Sequence, residues 1–255
     1  MRIILLTQDE PFYLAENIEY LIKNLPEKST IEAIVLFKVS PFGKKESFLK
    51  KARKTYTIFG LSFFLYYTFK YGMAKFKKSK KVPYILKKHN IPQIRLTQSV
   101  NHEESLKMIS DYRPDLLISI AGNQIFKKKL LHLAPEGCLN LHTSLLPEYR
   151  GLMPSFWVLK NKEHHTGVSV FFVDEKIDNG PILIQKTIKI EENMTHRQLI
   201  RRSKKEGMKA IIAAIRKIQS GNYELIENNE EEKSYFSFPT REDVKLFYKN
   251  GKKFF

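Results

Sequence analysis

Cysteine and acidic side chains are both scarce in this chain, and each scarcity narrows its chemistry. One of its 255 residues is a cysteine, Cys138, so no disulfide can form within it. Cys138 falls inside an apolar run, where a small buried filler is the ordinary role. No G-x-G-x-x-G occurs, which removes the usual case for a dinucleotide cofactor. The opening MRIILLTQDE has too short an apolar core for a secretory leader and runs straight into a strand pattern, so a cytoplasmic protein is expected. Internal repeats and low-complexity linkers are missing as well. The adjacent pair His164-His165 would point to opposite faces of a strand, with no cysteine or carboxylate cluster around it, so no metal site is expected. Asp and Glu number 27 against 44 Lys and Arg, a formal charge of +17. Such an excess suits RNA, nucleotide phosphates or an anionic membrane, and equally a lysine-rich solvated surface.

What is present reads as an α/β domain. Arg2 to Thr7 is a short apolar run of the kind that forms a buried parallel strand. Pro11 suits the first turn of a helix, and Leu14, Ile18, Leu21, Ile22 and Leu25 form its apolar stripe. Ile31 to Val39 is a second strand, so the unit is a right-handed parallel crossover. Gln8, Asp9 and Glu10 then lie at the carboxyl edge of the sheet, where open α/β sheets bind ligands, and are candidates for contacting a substrate. Further on, the pattern predicts a helix closing over Tyr84 to His89, a strand at Gln93 to Leu96 and a helix over Glu103 to Tyr112. Asp115 to Ala121 is continuously apolar, hence a central strand. A short helix at Leu130 to Leu133 and strands at Gly167 to Val173 and Leu183 to Ile190 follow. Thr195 caps a long helix that Gly221 stops. Tyr235 to Pro239 alternates as a short strand, and Arg241 to Tyr248 reads as one more helix. The expected division is a domain over 1–221 and a short extension over 222–255.

Residues from about 41 to 81 form an insertion whose centre, Ile58 to Ala74, is an aromatic block between lysine-rich arms. It is too short to span a bilayer. It fits a helical hairpin packed on the domain or on a second copy. It also fits a surface touching a substrate through Phe and Tyr faces, and a helix lying on anionic lipid. In a helix, Phe59, Phe63, Tyr66 and Tyr67 share one face while Phe64 and Tyr71 lie elsewhere. Cover on more than one side is therefore expected, beside the substrate end of the sheet, with a homodimer contact as part of that reading.

The stretch from Gly137 to Ile182 carries the chemistry. Asn140 and His142 are two apart on a strand and share a face. An amide can donate to a developing oxyanion, and an imidazole can move a proton near neutral pH. Tyr149-Arg150-Gly151 forms a turn after Pro147, and Asp178-Asn179-Gly180-Pro181 is turn chemistry carrying a carboxylate. Singly, each of these residues also fits a purely structural role.

Taken together, N-x-H-x-S-L-L-P-x-Y-R-G-x-x-P followed by D-x-G-P resembles the formyltransferases that use 10-formyltetrahydrofolate. The pattern is most similar to that of the sugar N-formyltransferases, and it also resembles the catalytic domain of methionyl-tRNA formyltransferases. The resemblance covers about 1–220 and implies a Rossmann-like α/β fold with a mostly parallel sheet and helices on both faces. The aromatic helical insertion and the short C-terminal tail add to it. It also implies the catalytic trio Asn140, His142 and Asp178. Asn140 would hold the oxyanion, His142 would stabilise it or manage the amine's proton, and Asp178 would orient and charge-stabilise His142. The co-substrate 10-formyltetrahydrofolate would lie against Asn123, Gln124, Ile125 and Phe126, chiefly their backbone, and against Val173, Asp174 and Ile177. Tyr149 and Arg150 would join Gln8, Asp9 and Glu10 on the acceptor.

The resemblance offers three acceptors. The tail after Gly221 is too short for the extra β-barrel of the tRNA enzymes. The expected acceptor is therefore a nucleotide-linked amino sugar, a 4-amino-4,6-dideoxyhexose used in surface glycans, with no nucleic-acid partner. Methionyl-tRNA and glycinamide ribonucleotide are the alternatives. From another class, a non-catalytic folate- or nucleotide-binding module, or a membrane-associated one, also stays open.

Overall fold

Uninterrupted runs of Ile, Leu and Val set the sheet, because strands covered on both faces need no polar alternation. The computed structural model describes residues 1–37 and 47–255, and of Phe48 and Lys75 the backbone alone. The expected second strand runs to Phe37; Lys38 and Val39, like the first part of the insertion at 41–46, lie outside the described residues. In chain order the strands are β1 (Arg2–Gln8), β2 (Thr30–Phe37), β3 (Gln93–Ile94), β4 (Leu116–Ile120) and β5 (Cys138–His142). They continue with β6 (Arg150–Gly151), β7 (His165–Phe172), β8 (Ile182–Lys189) and β9 (Tyr235–Phe236). Seven form one sheet in the order β3-β2-β1-β4-β5-β7-β8. The first five are parallel, while β7 runs antiparallel to both β5 and β8. From β1 the chain winds outward to β2 and β3, then returns to place β4 on the other side. That reversal opens a crevice at the carboxyl ends of β1 and β4.

The helices are α1 (Leu14–Lys23), α2 (Phe48–Phe59), α3 (Leu61–Phe76), α4 (Val82–Lys88), α5 (Glu103–Ser110), α6 (Lys128–Leu131), α7 (Pro154–Lys160), α8 (His196–Ser220) and α9 (Arg241–Lys249). Alternation along β1 sends Ile3 and Leu5 into a core with Leu14 and Ile18 of α1 and Ile211 and Ile215 of α8. Ile4 and Leu6 go to the opposite side, with Leu106 and Ile109 of α5 and Cys138. The sheet is thus covered on both faces. Thr195 and Gln198 close a reciprocal capping box at the start of α8, and Gly221, at φ 65°, ends it.

Residues 222–255 fold onto the same core. Val244, Phe247 and Phe254 belong to the apolar cluster that holds Ile3 and Leu5. Phe254 packs against the rings of Phe63 at 4.8 Å, Phe247 at 4.6 Å and Phe59 at 5.6 Å. The strand expected over Tyr235 to Pro239 is only two residues long, because β6, its partner, offers only Arg150 and Gly151.

The insertion is helical. Phe59 is buried, and Phe63 stacks on both Phe59 and Tyr67. Tyr67 and Tyr71 meet Phe12 just before α1, and Phe64 meets Tyr56 edge-on. Among the described residues this cover stops short of the outer side. Leu61, Leu65, Phe69, Met73 and Phe76 are 44–89% exposed along the outer side of α3.

One buried group makes folding pH-dependent. His196 stands edge-on to Phe254, 5.4 Å between centroids, and burial holds its imidazole down at about 4. Unfolded, it titrates near 6.5. The unfolded chain takes up the proton first, so this contribution to stability is complete above about pH 6.5 and is lost as pH falls toward about 4. On acidification from about pH 7 to about pH 4.5, the wild type should lose on the order of 2 kcal/mol more unfolding free energy than His196→Leu. Urea titrations of both proteins at the two pH values measure the difference.

Candidate functional site

Three segments converge at the carboxyl ends of β1, β4 and β5, around a cleft of about 430 Å³. Strand β5 supplies Asn140 and His142 on one face, as their spacing requires. Among the described residues nothing engages the Asn140 amide, which lines the cleft. His142 is nearly buried, and its Nε2 lies 2.8 Å from the Tyr149 carbonyl oxygen. A carbonyl only accepts, so Nε2 carries the hydrogen. Nδ1 is thereby left as the nitrogen able to take a proton, and it lies 3.6 Å from Asp178 Oδ2.

Asp178 is held in place by two hydrogen bonds. Its Oδ2 accepts from the Gly151 amide at 2.9 Å. Its backbone, at φ 50°, lies in the left-handed region, and its carbonyl accepts from Asn228 Nδ2 at 3.0 Å. Gly180 permits the turn: a Cβ there would stand 1.8 Å from the Phe172 carbonyl oxygen, so no other residue fits without moving backbone.

The expected positions divide clearly. Asn123, Gln124, Ile125, Phe126, Val173, Asp174 and Ile177 all line the cleft with Asn140, His142 and Asp178, and so does Gln8. Gln8 donates from Nε2 to the Ala121 carbonyl at 2.9 Å. Four candidates for acceptor contact are otherwise employed. Asp9 accepts from the Val82 amide at 2.9 Å and caps α4. Glu10 accepts from the amides of Phe12 and Tyr13 ahead of α1. The Tyr149 side chain turns away, donating to Glu163 at 2.6 Å and stacking on Phe236. Arg150 is 3% exposed, and its guanidinium donates to Asn179 Oδ1 and Asn228 Oδ1, both at 2.8 Å, and to Glu230 at 3.4 Å. These four lie outside the cleft lining and hold neighbouring backbone in place, and Arg150 ties the C-terminal extension to the turn that carries Asp178.

The sequence reading missed Lys204 and Met208 of α8, which also line the cleft. A signal existed: Lys204 lies four residues before Met208 and seven before Ile211, on the apolar stripe, where a charge is out of place. Burial holds the Lys204 ammonium below its usual range, with nearby Glu10 opposing that shift. Burial likewise raises the Glu10 carboxyl, and Lys204 opposes it. Arg197, seven residues before Lys204, donates to the Tyr66 hydroxyl at 3.0 Å.

A formyl transferase family model matches residues 68–215, which is more than half of the sequence, and the chain belongs to that family. The methionyl-tRNA formyltransferase of Kosmotoga olearia is 33% identical over 175 residues, 68% of this chain and 56% of that relative. The matched part thus spans little more than half of the relative's length. A sugar N-formyltransferase from Shewanella sp. FDAARGOS_354 superposes with a TM-score of 0.60 at 19% identity, covering 96% of this chain and 86% of that one. An N-formyltransferase from Helicobacter canadensis, solved with folinic acid and dTDP-3-aminofucose, gives 0.57 at 20%, covering 95% and 72%. The phosphoribosylglycinamide formyltransferase of Anaplasma phagocytophilum gives 0.64 at 15%, covering 94% and 99%. At such identities the three structures establish the shared fold, and they do not choose among acceptors.

The Arg150 network can be tested directly. Arg150→Ala removes several charge-assisted hydrogen bonds, each worth about 1.5–3 kcal/mol. The variant should lose at least that much stability in urea unfolding, and limited proteolysis should open the chain near Asn228 first.

Proposed function

We propose that the protein transfers a formyl group from 10-formyltetrahydrofolate to the amine of a nucleotide-linked amino sugar in the cytoplasm. The observation that carries the formyl-transfer reading is the placement of the His142 Nδ1 beside Asp178 in the cleft that Asn140 lines. Residues 122 to 126 belong to no strand or helix and line the same cleft, leaving backbone groups suited to the polar edge of a pterin. The folate supplies, when bound, an activated formyl carbonyl. Asn140 donates its amide hydrogen to the oxygen of that carbonyl as negative charge develops there. His142 Nδ1 takes the proton that the attacking amine sheds, since Nε2 is already committed to Tyr149. The Asp178 carboxylate then faces an imidazolium and stabilises it. Its bond from the Gly151 amide keeps it aimed. His142 would return the proton to the donor nitrogen as its bond to the formyl carbon breaks and tetrahydrofolate leaves.

The acceptor is inferred from the walls. Arg197, Arg201 and Lys204 follow one another at i, i+4 and i+7 on α8. Arg197 and Arg201 both act electrostatically on Tyr13, and Lys204 reaches the cleft. This row suits a diphosphate, and the tyrosines of α3 beside it suit a base or sugar face. A 4-amino-4,6-dideoxyhexose is the sugar favoured. The likeness to methionyl-tRNA formyltransferases supports charged tRNA as the second reading.

Two measurements test this. Asn140→Ala and His142→Ala should each lower turnover at least about 100-fold with folding intact. Wild-type turnover in either would remove that residue from the mechanism. Purified protein offered both acceptors with 10-formyltetrahydrofolate should release tetrahydrofolate with nucleotide-linked 4-amino sugars and stay inactive toward methionyl-tRNA. The reverse pattern overturns the sugar assignment.

A further inference from the structure

Helix α3 has two apolar sides, and the described residues cover only one. Phe63, Tyr67 and Tyr71 face inward onto Phe12, Phe59 and Phe254. The outer side carries Leu61, Leu65, Phe69 and Met73 at successive i+4 positions, with Phe76 three further on. They are 58%, 57%, 67%, 44% and 89% exposed. Exposure continues on α2 at Leu49, 79%, and Tyr56, 50%. A row of exposed apolar side chains at i+4 spacing along one helix, with more on its neighbour, marks a contact surface.

Its charge indicates the occupant. Between Ser47 and Lys81 the sequence carries ten Lys and Arg and no Asp or Glu. Exposed bases stand on α2 at Lys50, Arg53 and Lys54, and beyond the end of α3 at Lys77 and Lys78. We propose that α2 and α3 form a peripheral docking surface for anionic lipid, with the stripe of α3 set among the acyl chains and the bases on the headgroups. A second copy of the chain would bring the same positive field against itself, which charge repulsion opposes. RNA would satisfy the bases but has no use for Leu61, Leu65 and Met73, whereas acyl chains do. The helix lies on the bilayer and does not cross it. Its 16 residues span roughly 24 Å against about 30 Å of hydrocarbon, and no described helix is long and apolar enough for a span. The inner side of α3 packs on Phe12, directly after the β1 loop, so docking holds the cleft mouth close to the membrane. This inference does not depend on which acceptor is formylated.

The test is sedimentation of the whole chain with vesicles of phosphatidylcholine alone or mixed with phosphatidylglycerol, at low and high salt. Binding is expected to the mixed vesicles, to weaken as salt rises, and to be much poorer on phosphatidylcholine. The variant Leu65→Ser/Phe69→Ser/Phe76→Ser should lower partitioning at least about tenfold. Its circular dichroism and melting should match the wild type, since these side chains touch water in the free protein. A second variant, Lys77→Glu/Lys78→Glu, should lose the preference for phosphatidylglycerol. Absence of binding to the mixed vesicles overturns the proposal. So does binding that the first variant leaves unchanged, a wild-type dimer in sedimentation equilibrium that the same three substitutions dissociate, or tighter binding to RNA than to the mixed vesicles.

Discussion

The Nε2–H of His142 donated to the Tyr149 carbonyl fixes which side of the imidazole is free for chemistry. Much of the surrounding structure serves to put that carbonyl in place. Tyr149 itself sits at φ 57°, a conformation a bulky residue adopts only when its neighbours over-determine it. Those neighbours are identifiable. The Tyr149 amide donates to Ser234, its phenol is clamped by Glu163 and Asn161, and Ser144 reaches the same carbonyl at 3.4 Å. Next along the chain, Arg150 is locked by three partners, and Gly151 hands its amide to Asp178. One turn of backbone therefore sets both the orientation of the imidazole and the aim of the carboxylate that faces it.

Strain collects around this turn. Ala121, Tyr149, Met153 and Asp178 all have positive φ, and each borders the cleft or its walls. Such residues cost about 1–3 kcal/mol apiece. Here the cost is offset by the core behind them, where α8 lies tight against β5. A Cβ on Gly207 would stand 2.6 Å from Leu141. The cleft is thus a distorted rim on a rigid sheet, which is where pre-organised hydrogen-bond donors are of most use.

The sequence made the sheet, most helices and the lining residues legible, because those depend on short-range pattern: apolar runs, caps and the spacing of Asn140 and His142. Less legible were residues whose surroundings depend on what lies opposite. Arg150 reads as an exposed turn residue until Asn228 and Glu230, some eighty positions later, fold over it. Asp9 and Glu10 sit at the ligand-binding edge, yet their carboxylates accept from the first amide of α4 and from the Phe12 and Tyr13 amides just ahead of α1. Lys204 reads as one more member of a long helix, and its position facing the cleft depends on the tertiary packing of α8. For the aromatic block, periodicity gives the helix and its inner face, while the exposure of its outer face among the described residues depends on tertiary packing.

The ring of Phe254 against Phe59 and Phe63 has a consequence in time. The partners are almost two hundred positions apart, so this contact closes one of the longest loops in the fold. During vectorial synthesis the sheet strands and α1 emerge and pair long before Phe247 and Phe254 are available. Through that interval the inner side of the aromatic pair rests on Phe12 and lacks the wall that Phe254 later supplies. Contacts of such sequence separation form late and slowly, and transiently bare aromatic helices invite association. The same stretch carries ten basic residues and no acidic one, the kind of charge that flanks unavoidable apolar segments and opposes their association.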